Sequence, residues 1–223
     1  MQTRPGTLIR WNGLQNLLLR VVAEKNIVLD IGAYDSFILW KLKAKRDFNP
    51  VLVDIDLEGL SKARERKISS INASGIKLPF NDESVDVVLC LDVIEHVRED
   101  DSLLSEIARV LKKSGKLVLT TPKKDSELVP GADMEKINEA WGHVRSGYAR
   151  DDMETLFKRN NLKITEYTFY YNVLSRYTYY YLFQKNTLKA SDGVLLSILD
   201  AVTRLDSYLR VGFIEHVFVA VKR

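Results

Sequence analysis

Gly32 closes the aliphatic run Ile27-Val28-Leu29-Asp30-Ile31. Without a Cβ it can take positive φ, so it permits a sharp turn and lets a ligand approach the backbone closely. Asp54 follows 22 residues later, at the end of Val51-Leu52-Val53, where a carboxylate can accept both hydroxyls of a ribose. Asn72-Ala73 ends a third short run and offers an amide and a backbone N–H to an adenine edge. Together these groups describe an adenosyl site. A nicotinamide dinucleotide is the rival ligand, because an acid about 20 residues beyond a glycine turn is also its signature. That fingerprint needs three glycines to seat a pyrophosphate, and Ala33 to Ser36 supplies none. An oxidoreductase is therefore disfavoured against a protein whose ligand lacks the pyrophosphate.

Asp92 stands just past a fourth aliphatic run, Val85 to Leu91. Three histidines could serve as a general base, since their unperturbed pKa lies near neutrality. His143 is the catalytic candidate, in Trp141-Gly142-His143-Val144-Arg145-Ser146-Gly147-Tyr148 at the end of a long stretch without periodicity. His96 reads as packing at a helix entry and His216 as a structural residue of the last strand. One cysteine and three scattered histidines give no metal-ligand spacing, so no metal is expected. Neither a P-loop nor an elbow serine is present, which places phosphotransfer and hydrolysis low.

The elements that must position these residues alternate. Apolar residues spaced by three and four over 8–23 predict a helix with one buried face. The run at 27–31 is too short for a helix and apolar on both faces, as in a parallel sheet. A helix over Phe37 to Arg46, ended by Asn49-Pro50, leads to a strand at Val51 to Asp54 and a charged helix over Leu57 to Lys67. Strands at Ile68 to Ile71 and Val85 to Leu91 follow. A helix over Asp100 to Leu111 then meets a Ser114-Gly115 stop before a strand at Lys116 to Thr120. Pro122 to Gly147 reads as a long loop on the ligand side of the sheet. A helix at Asp151 to Asn160 and β-rich segments at Leu162 to Val173 and Phe213 to Val221 complete the chain. This alternation predicts an α/β, Rossmann-like, doubly wound sheet, mostly parallel.

At this point the chain resembles the class I S-adenosylmethionine-dependent methyltransferases, over roughly residues 8–173. The resemblance is carried, in order, by Val28-Leu29-Asp30-Ile31-Gly32, Val53-Asp54-Ile55-Asp56, Leu78-Pro79-Phe80, Asp82-Glu83-Ser84-Val85-Asp86-Val87-Val88, Asp92-Val93-Ile94-Glu95-His96-Val97 and Leu111-Lys112-Lys113-Ser114-Gly115-Lys116-Leu117. It implies S-adenosyl-L-methionine as cofactor and a seven-stranded mixed sheet whose last two strands form an antiparallel hairpin. It also implies roles for residues. Asp30 would hold the methionine amino group, and the backbone of Gly32, Ala33 and Tyr34 would wrap the homocysteine and ribose. Asp54 would take the ribose hydroxyls, Ile55 would pack on the adenine, and Asn72 and Ala73 would address its edge. Asp92 would lie near the methionine end. One departure stands out: the family usually carries glycines where this chain has Tyr34 and Ser36, so a bulky ring would stack beside the ligand or turn outwards.

At 223 residues the chain suits one domain, long enough to bury roughly 70% of its unfolded surface. Residues 174–212, with the aromatic stretch Tyr177 to Phe183 and the amphipathic run Val194 to Leu209, are expected as an insertion covering the substrate side. With 33 basic and 30 acidic side chains, the charge balance gives no support for a nucleic-acid footprint. No apolar run reaches the roughly 18 residues of a membrane span. Peripheral membrane contact stays open, with Lys185, Lys189, Arg204 and Arg210 placed to meet anionic head groups. Cys90 in an apolar run and the lack of a secretory signal point to the cytoplasm. The sequence thus favours a cytoplasmic methyltransferase, monomer or homodimer, acting on a small-molecule or lipid-like acceptor. An RNA or protein acceptor is the runner-up, and a non-catalytic binding protein with a decayed glycine loop is the alternative from another class.

Overall fold

A computed structural model of the chain describes residues 4–184, 193–209 and 211–223. Lys185, Lys189 and Arg210 lie outside the described residues. The sheet holds seven strands: β1 (Ile27–Ile31), β2 (Asn49–Asp54), β3 (Ser69–Asn72), β4 (Val85–Leu91), β5 (Leu111–Pro122), β6 (Leu162–Tyr170) and β7 (Glu215–Lys222). Their order is β3-β2-β1-β4-β5-β7-β6. The first five run parallel, and β7 inserts antiparallel between β5 and β6. The expected mixed sheet with its antiparallel hairpin is therefore the one observed. The carboxyl ends of β1 and β4 are adjacent at its centre, where Ile31 pairs with Cys90.

Helices α1 (Pro5–Val21), α2 (Phe37–Lys43), α3 (Leu57–Glu65), α4 (Asp100–Val110), α5 (Met134–Trp141), α6 (Arg150–Arg159), α7 (Val173–Tyr179) and α8 (Gly193–Leu209) flank it. One face of the sheet buries Leu14, Leu17 and Leu18 of α1, Leu39 and Leu42 of α2, Leu60 of α3 and Leu199 of α8. The other buries Leu103, Leu104 and Ile107 of α4 with Met153 and Phe157 of α6. Leu18 is fully buried, so Leu18→Ala removes a core contact costing about 2–5 kcal/mol. No helix among the described residues is long and apolar enough to cross a membrane.

Several boundaries differ from the sequence reading. Helix α1 begins earlier, because Pro5 has no N–H to lose in a first turn. Asn49-Pro50 belongs to β2 rather than to a helix stop; Asn49 pairs with Ile27 at the strand's start. Strand β5 begins at Leu111, and its register against β4 shifts between Val85 and Val87, which absorbs the Ser114-Gly115 turn inside the strand. The long segment 122–147 contains α5, a helix of eight residues capped by Asp133, whose carboxylate accepts from the Lys136 N–H. It was too short to show a period. Strand β6 stops at Tyr170, and Val173 opens α7 instead.

Candidate functional site

Strand β1 ends in Asp30-Ile31, and Gly32 turns the chain at φ +68° with its N–H donated to Val53 O at 2.8 Å. A Cβ on Gly32 would lie 2.8 Å from Val93 Cγ2, so the position is fixed both by conformation and by packing. The next residues are held by Asp54, whose Oδ2 accepts from the Tyr34 N–H and Oδ1 from the Asp56 N–H, both at 2.9 Å. Asp54 thus ties the β1 turn to the end of β2, and its oxygens keep a second lone pair each for a ligand.

Tyr34 lies at the cavity's edge with its hydroxyl held by α3. Its φ is +50°, and its hydroxyl donates to Glu58 and accepts from Lys62 on α3. The Arg4 guanidinium stacks 3.4 Å from the ring centroid. Ile55 is 75% exposed, an apolar side chain in water at the end of β2. Asn72 Nδ2 donates to the carbonyls of Asp54 and Ile55, and the Ala73 N–H donates to Asp54 O. Their donors are thus engaged within the protein, which leaves the Asn72 amide oxygen as the group free to meet a ligand.

Asp30 is 1% exposed and neither carboxylate oxygen has a partner. Burial pushes its pKa well up, with Asp54 and Asp35 adding to the effect and Arg10 opposing it. Such a group fits a cationic donor that arrives with a ligand.

Beside the β1 turn opens a cavity of about 580 Å³. Gly32, Ala33, Tyr34, Asp92 and His143 of the expected residues line it; Asp30, Asp54, Ile55, Asn72 and Ala73 do not. The latter group lies beneath the turn or on the open surface along β2 and β3.

Asp92, at φ +55°, is at the cavity floor and its carboxylate is saturated. Oδ2 accepts from Arg10 Nε at 2.9 Å, from the Arg10 terminal nitrogen and from the Tyr170 hydroxyl at 2.8 Å, and Oδ1 accepts from Thr120. Burial pushes the Asp92 carboxyl up, but the Arg10 charge and these hydrogen bonds outweigh it and leave the pKa below the usual value. Asp92 therefore acts first as the anchor of Arg10.

The opposite wall comes from two loops held together. Residues 94–96 form a single 3₁₀ turn after β4, and His143 follows Gly142, the left-handed cap of α5. The Val144 N–H donates to Glu95 O at 3.0 Å, and Arg145 reaches Asp100 at 2.9 Å and Ile94 O at 3.2 Å. The His96 and His143 rings meet edge to face at 4.7 Å, with Trp141 5.5 Å from His143. Burial first, then the charge of His96, holds the His143 pKa down to about 4. Glu95 and Glu215 line the same cavity, and burial pushes both carboxyls well up. Tyr171 and Tyr179 add rings to the wall.

Sequence reasoning missed Arg10, Tyr170, Glu95 and Glu215. His216 places Nδ1 2.9 Å from the Tyr167 hydroxyl, and Cys90 is buried.

Residues 29–119 match the family model described as methyltransferase domain. This stretch is similar to the methyltransferase domains of the class I fold. The resemblance read from the motifs is borne out by relatives as well. An uncharacterized protein of Methanocaldococcus jannaschii is 40% identical over 116 residues, which cover 50% of this chain and 48% of that protein. A probable S-adenosylmethionine-dependent methyltransferase of Mycobacterium tuberculosis is 36% identical over 85 residues, covering 37% of this chain and 31% of that one. The matched regions therefore span less than half of these relatives. In three dimensions the chain is similar to a putative sarcosine dimethylglycine methyltransferase from Galdieria sulphuraria, with a TM-score of 0.69 and 15% identity, covering 97% of this chain and 85% of that one.

The residues of the domain fit S-adenosylmethionine. The unpartnered Asp30 carboxyl suits an ammonium group, the Gly32 turn borders the cavity, and the exposed Ile55 offers an apolar surface to a ring.

Proposed function

We propose that the chain is an S-adenosylmethionine-dependent methyltransferase acting on a small-molecule or lipid-like acceptor by in-line transfer. The observation that carries this reading is the cavity of about 580 Å³ that runs from the Gly32 turn to His143. Its volume lies within the range of small-ligand sites, and its wall of Trp141, Tyr170, Tyr171 and Tyr179 suits an apolar acceptor. When bound, the cofactor supplies a methyl group already made electrophilic by its sulfonium.

The protein's part is then to bind, orient and exclude water. Asp54 accepts from ribose hydroxyls while keeping its backbone bonds to Tyr34 and Asp56. Asp30 takes the amino group, Ile55 packs against the adenine, and the Asn72 amide oxygen and the backbone near Ala73 lie along its edge. The backbone of Gly32, Ala33 and Tyr34 wraps the middle of the ligand, while Asp92 shapes the methionine end through Arg10. His143 stands on the acceptor side as a neutral imidazole, and its role in this reading is to contact and orient the acceptor. Residues 174–212 contribute Tyr179 to the acceptor wall. Balanced charge disfavours nucleic acid, and the buried Cys90 fits a reducing cytoplasm.

Calorimetric titration with S-adenosylmethionine, and separately with S-adenosylhomocysteine, tests the reading on the wild type and on Asp54→Ala. Micromolar binding weakened at least tenfold in the variant is expected. Absence of binding by a folded protein would overturn the assignment and favour a decayed methyltransferase fold.

A further inference from the structure

We propose that Glu95, His96 and His143 form a site for a first-row divalent metal ion, facing the acceptor half of the cavity. One donor atom from each of the three lies within 4.8 Å of the others, the one such cluster of histidine, cysteine and acidic side chains among the described residues. An ion with bonds of about 2.1 Å in tetrahedral geometry spaces its donors about 3.4 Å apart, so closure requires shifts on the order of 1 Å at the tips of side chains.

Three further observations point to a ligand. Glu95 is 0% exposed and its Oε1 has no hydrogen-bond partner. Leaving a carboxylate oxygen buried and unpaired is costly, and a cation restores what burial removes. His143 Nδ1 is likewise buried without a partner. His96 Nδ1 lies 3.1 Å from Gly142 O. A carbonyl can only accept, so Nδ1 carries the proton and Nε2 presents its lone pair. A backbone carbonyl that fixes the tautomer of a histidine is the usual outer support of a metal-ligating imidazole. The same loops are stapled by the Val144 to Glu95 backbone bond and the Arg145 to Asp100 ion pair, so the three side chains are brought together by interactions other than their own.

Two imidazoles and one carboxylate select Zn²⁺, Mn²⁺, Fe²⁺ or Co²⁺ over Mg²⁺ and Ca²⁺, which prefer all-oxygen cages. Three protein ligands leave positions open, and these face the cavity that Glu95, His96 and His143 all line. The substrate class follows: an acceptor that offers an oxygen donor to the ion, such as a hydroxyl beside a second oxygen. That last step rests on the methyltransferase reading; the metal site itself does not.

The test uses the full chain stripped with a chelator. Titration with ZnCl₂, CoCl₂ and MgCl₂ is followed by calorimetry, and Co²⁺ also by its visible absorption. Binding of one Zn²⁺ or Co²⁺ per chain is expected, with Mg²⁺ at least a hundredfold weaker. His143→Ala, Glu95→Gln and His96→Ala, the last an exposed position that keeps the fold, should each weaken Zn²⁺ at least tenfold and change the Co²⁺ spectrum. Absence of Zn²⁺ and Co²⁺ binding by the folded wild type, or binding that all three variants retain, overturns the site. Titration with S-adenosylhomocysteine in chelator separates the two readings. Binding of S-adenosylhomocysteine without metal binding removes the metal site alone, and the converse removes the cofactor reading alone.

Discussion

Arg10→Met removes the cation from a pair on which one wall of the cavity rests. Arg10 and Asp92 lie 82 positions apart in the chain, and their side chains are 21% and 16% exposed. Breaking a buried pair by deleting one partner costs about 3–5 kcal/mol, since it strands the other charge. Residual exposure and the hydroxyls of Tyr170 and Thr120 soften this, so about 2–4 kcal/mol is expected at pH 7. In a urea titration with a slope of about 2–3 kcal/mol per M, the midpoint falls by about 1 M. The pH dependence has a definite sign. In the wild type the Asp92 pKa is below its unfolded value, so its stabilisation is present at neutral pH and is lost as pH falls through the folded value. Without Arg10, burial wins and the folded pKa rises above the unfolded one of about 3.9, so the variant loses stability as pH rises through that window. The gap between the two proteins is therefore widest near pH 7 and narrows toward pH 4. Adding Asp92→Asn to Arg10→Met should recover most of the loss, because no stranded charge remains. A gap below about 0.5 kcal/mol, or one that stays constant from pH 7 to pH 4, would refute the buried-pair account.

Asp30→Asn should leave the unliganded chain as stable or more stable, with its advantage growing as pH rises above about 4, because a carboxyl whose folded pKa is raised costs stability there. The same substitution should weaken S-adenosylmethionine at least tenfold; thermal melts across pH and calorimetry read the two effects. Gly32→Ala combines a φ of +68° with a contact of 2.8 Å to Val93, and a loss of about 1–3 kcal/mol is expected in urea titration. Val93→Ala should return the packing part of that loss and not the conformational part. Tyr34→Gly relieves positive φ worth about 1–2 kcal/mol and gives up ring contacts with Arg4 and Lys62 worth about as much. Its net stability change should fall within about 1 kcal/mol and its affinity for S-adenosylhomocysteine should hold; a tenfold loss would make the ring a ligand contact.

The parts of the site that were legible in the sequence share one property. Asp30 and Gly32 close β1, Asp54 ends β2 and Asn72 ends β3, so a short aliphatic run followed by a polar residue or glycine announced both the strand and its carboxyl end. Strand β4 was readable to the residue for the same reason. Boundaries failed where tertiary pairing overrode local preference, as at Asn49-Pro50 in β2 and Leu111 in β5. Helix α5 failed because eight residues hold too few turns to display a period.

The half of the cavity around His143 obeys a different rule. Arg10 comes from α1, Glu95 and His96 from the turn after β4, His143 from the end of α5, Tyr170 from β6 and Glu215 from β7. None is the end of a pattern; each acquires its role through a partner tens of residues away, as Arg10 does through Asp92 and Val144 through Glu95. Aperiodic residues fixed by long-range contacts leave no trace in spacing, which is why scattered histidines gave no expectation of the cluster that the fold assembles. The same separation has a functional consequence. Under the proposed function, substitutions at Trp141, Tyr171 or Tyr179 would reshape the acceptor wall without touching Asp30, Gly32 or Asp54, so acceptor specificity could change while the proposed ribose and amino-group contacts stay in place.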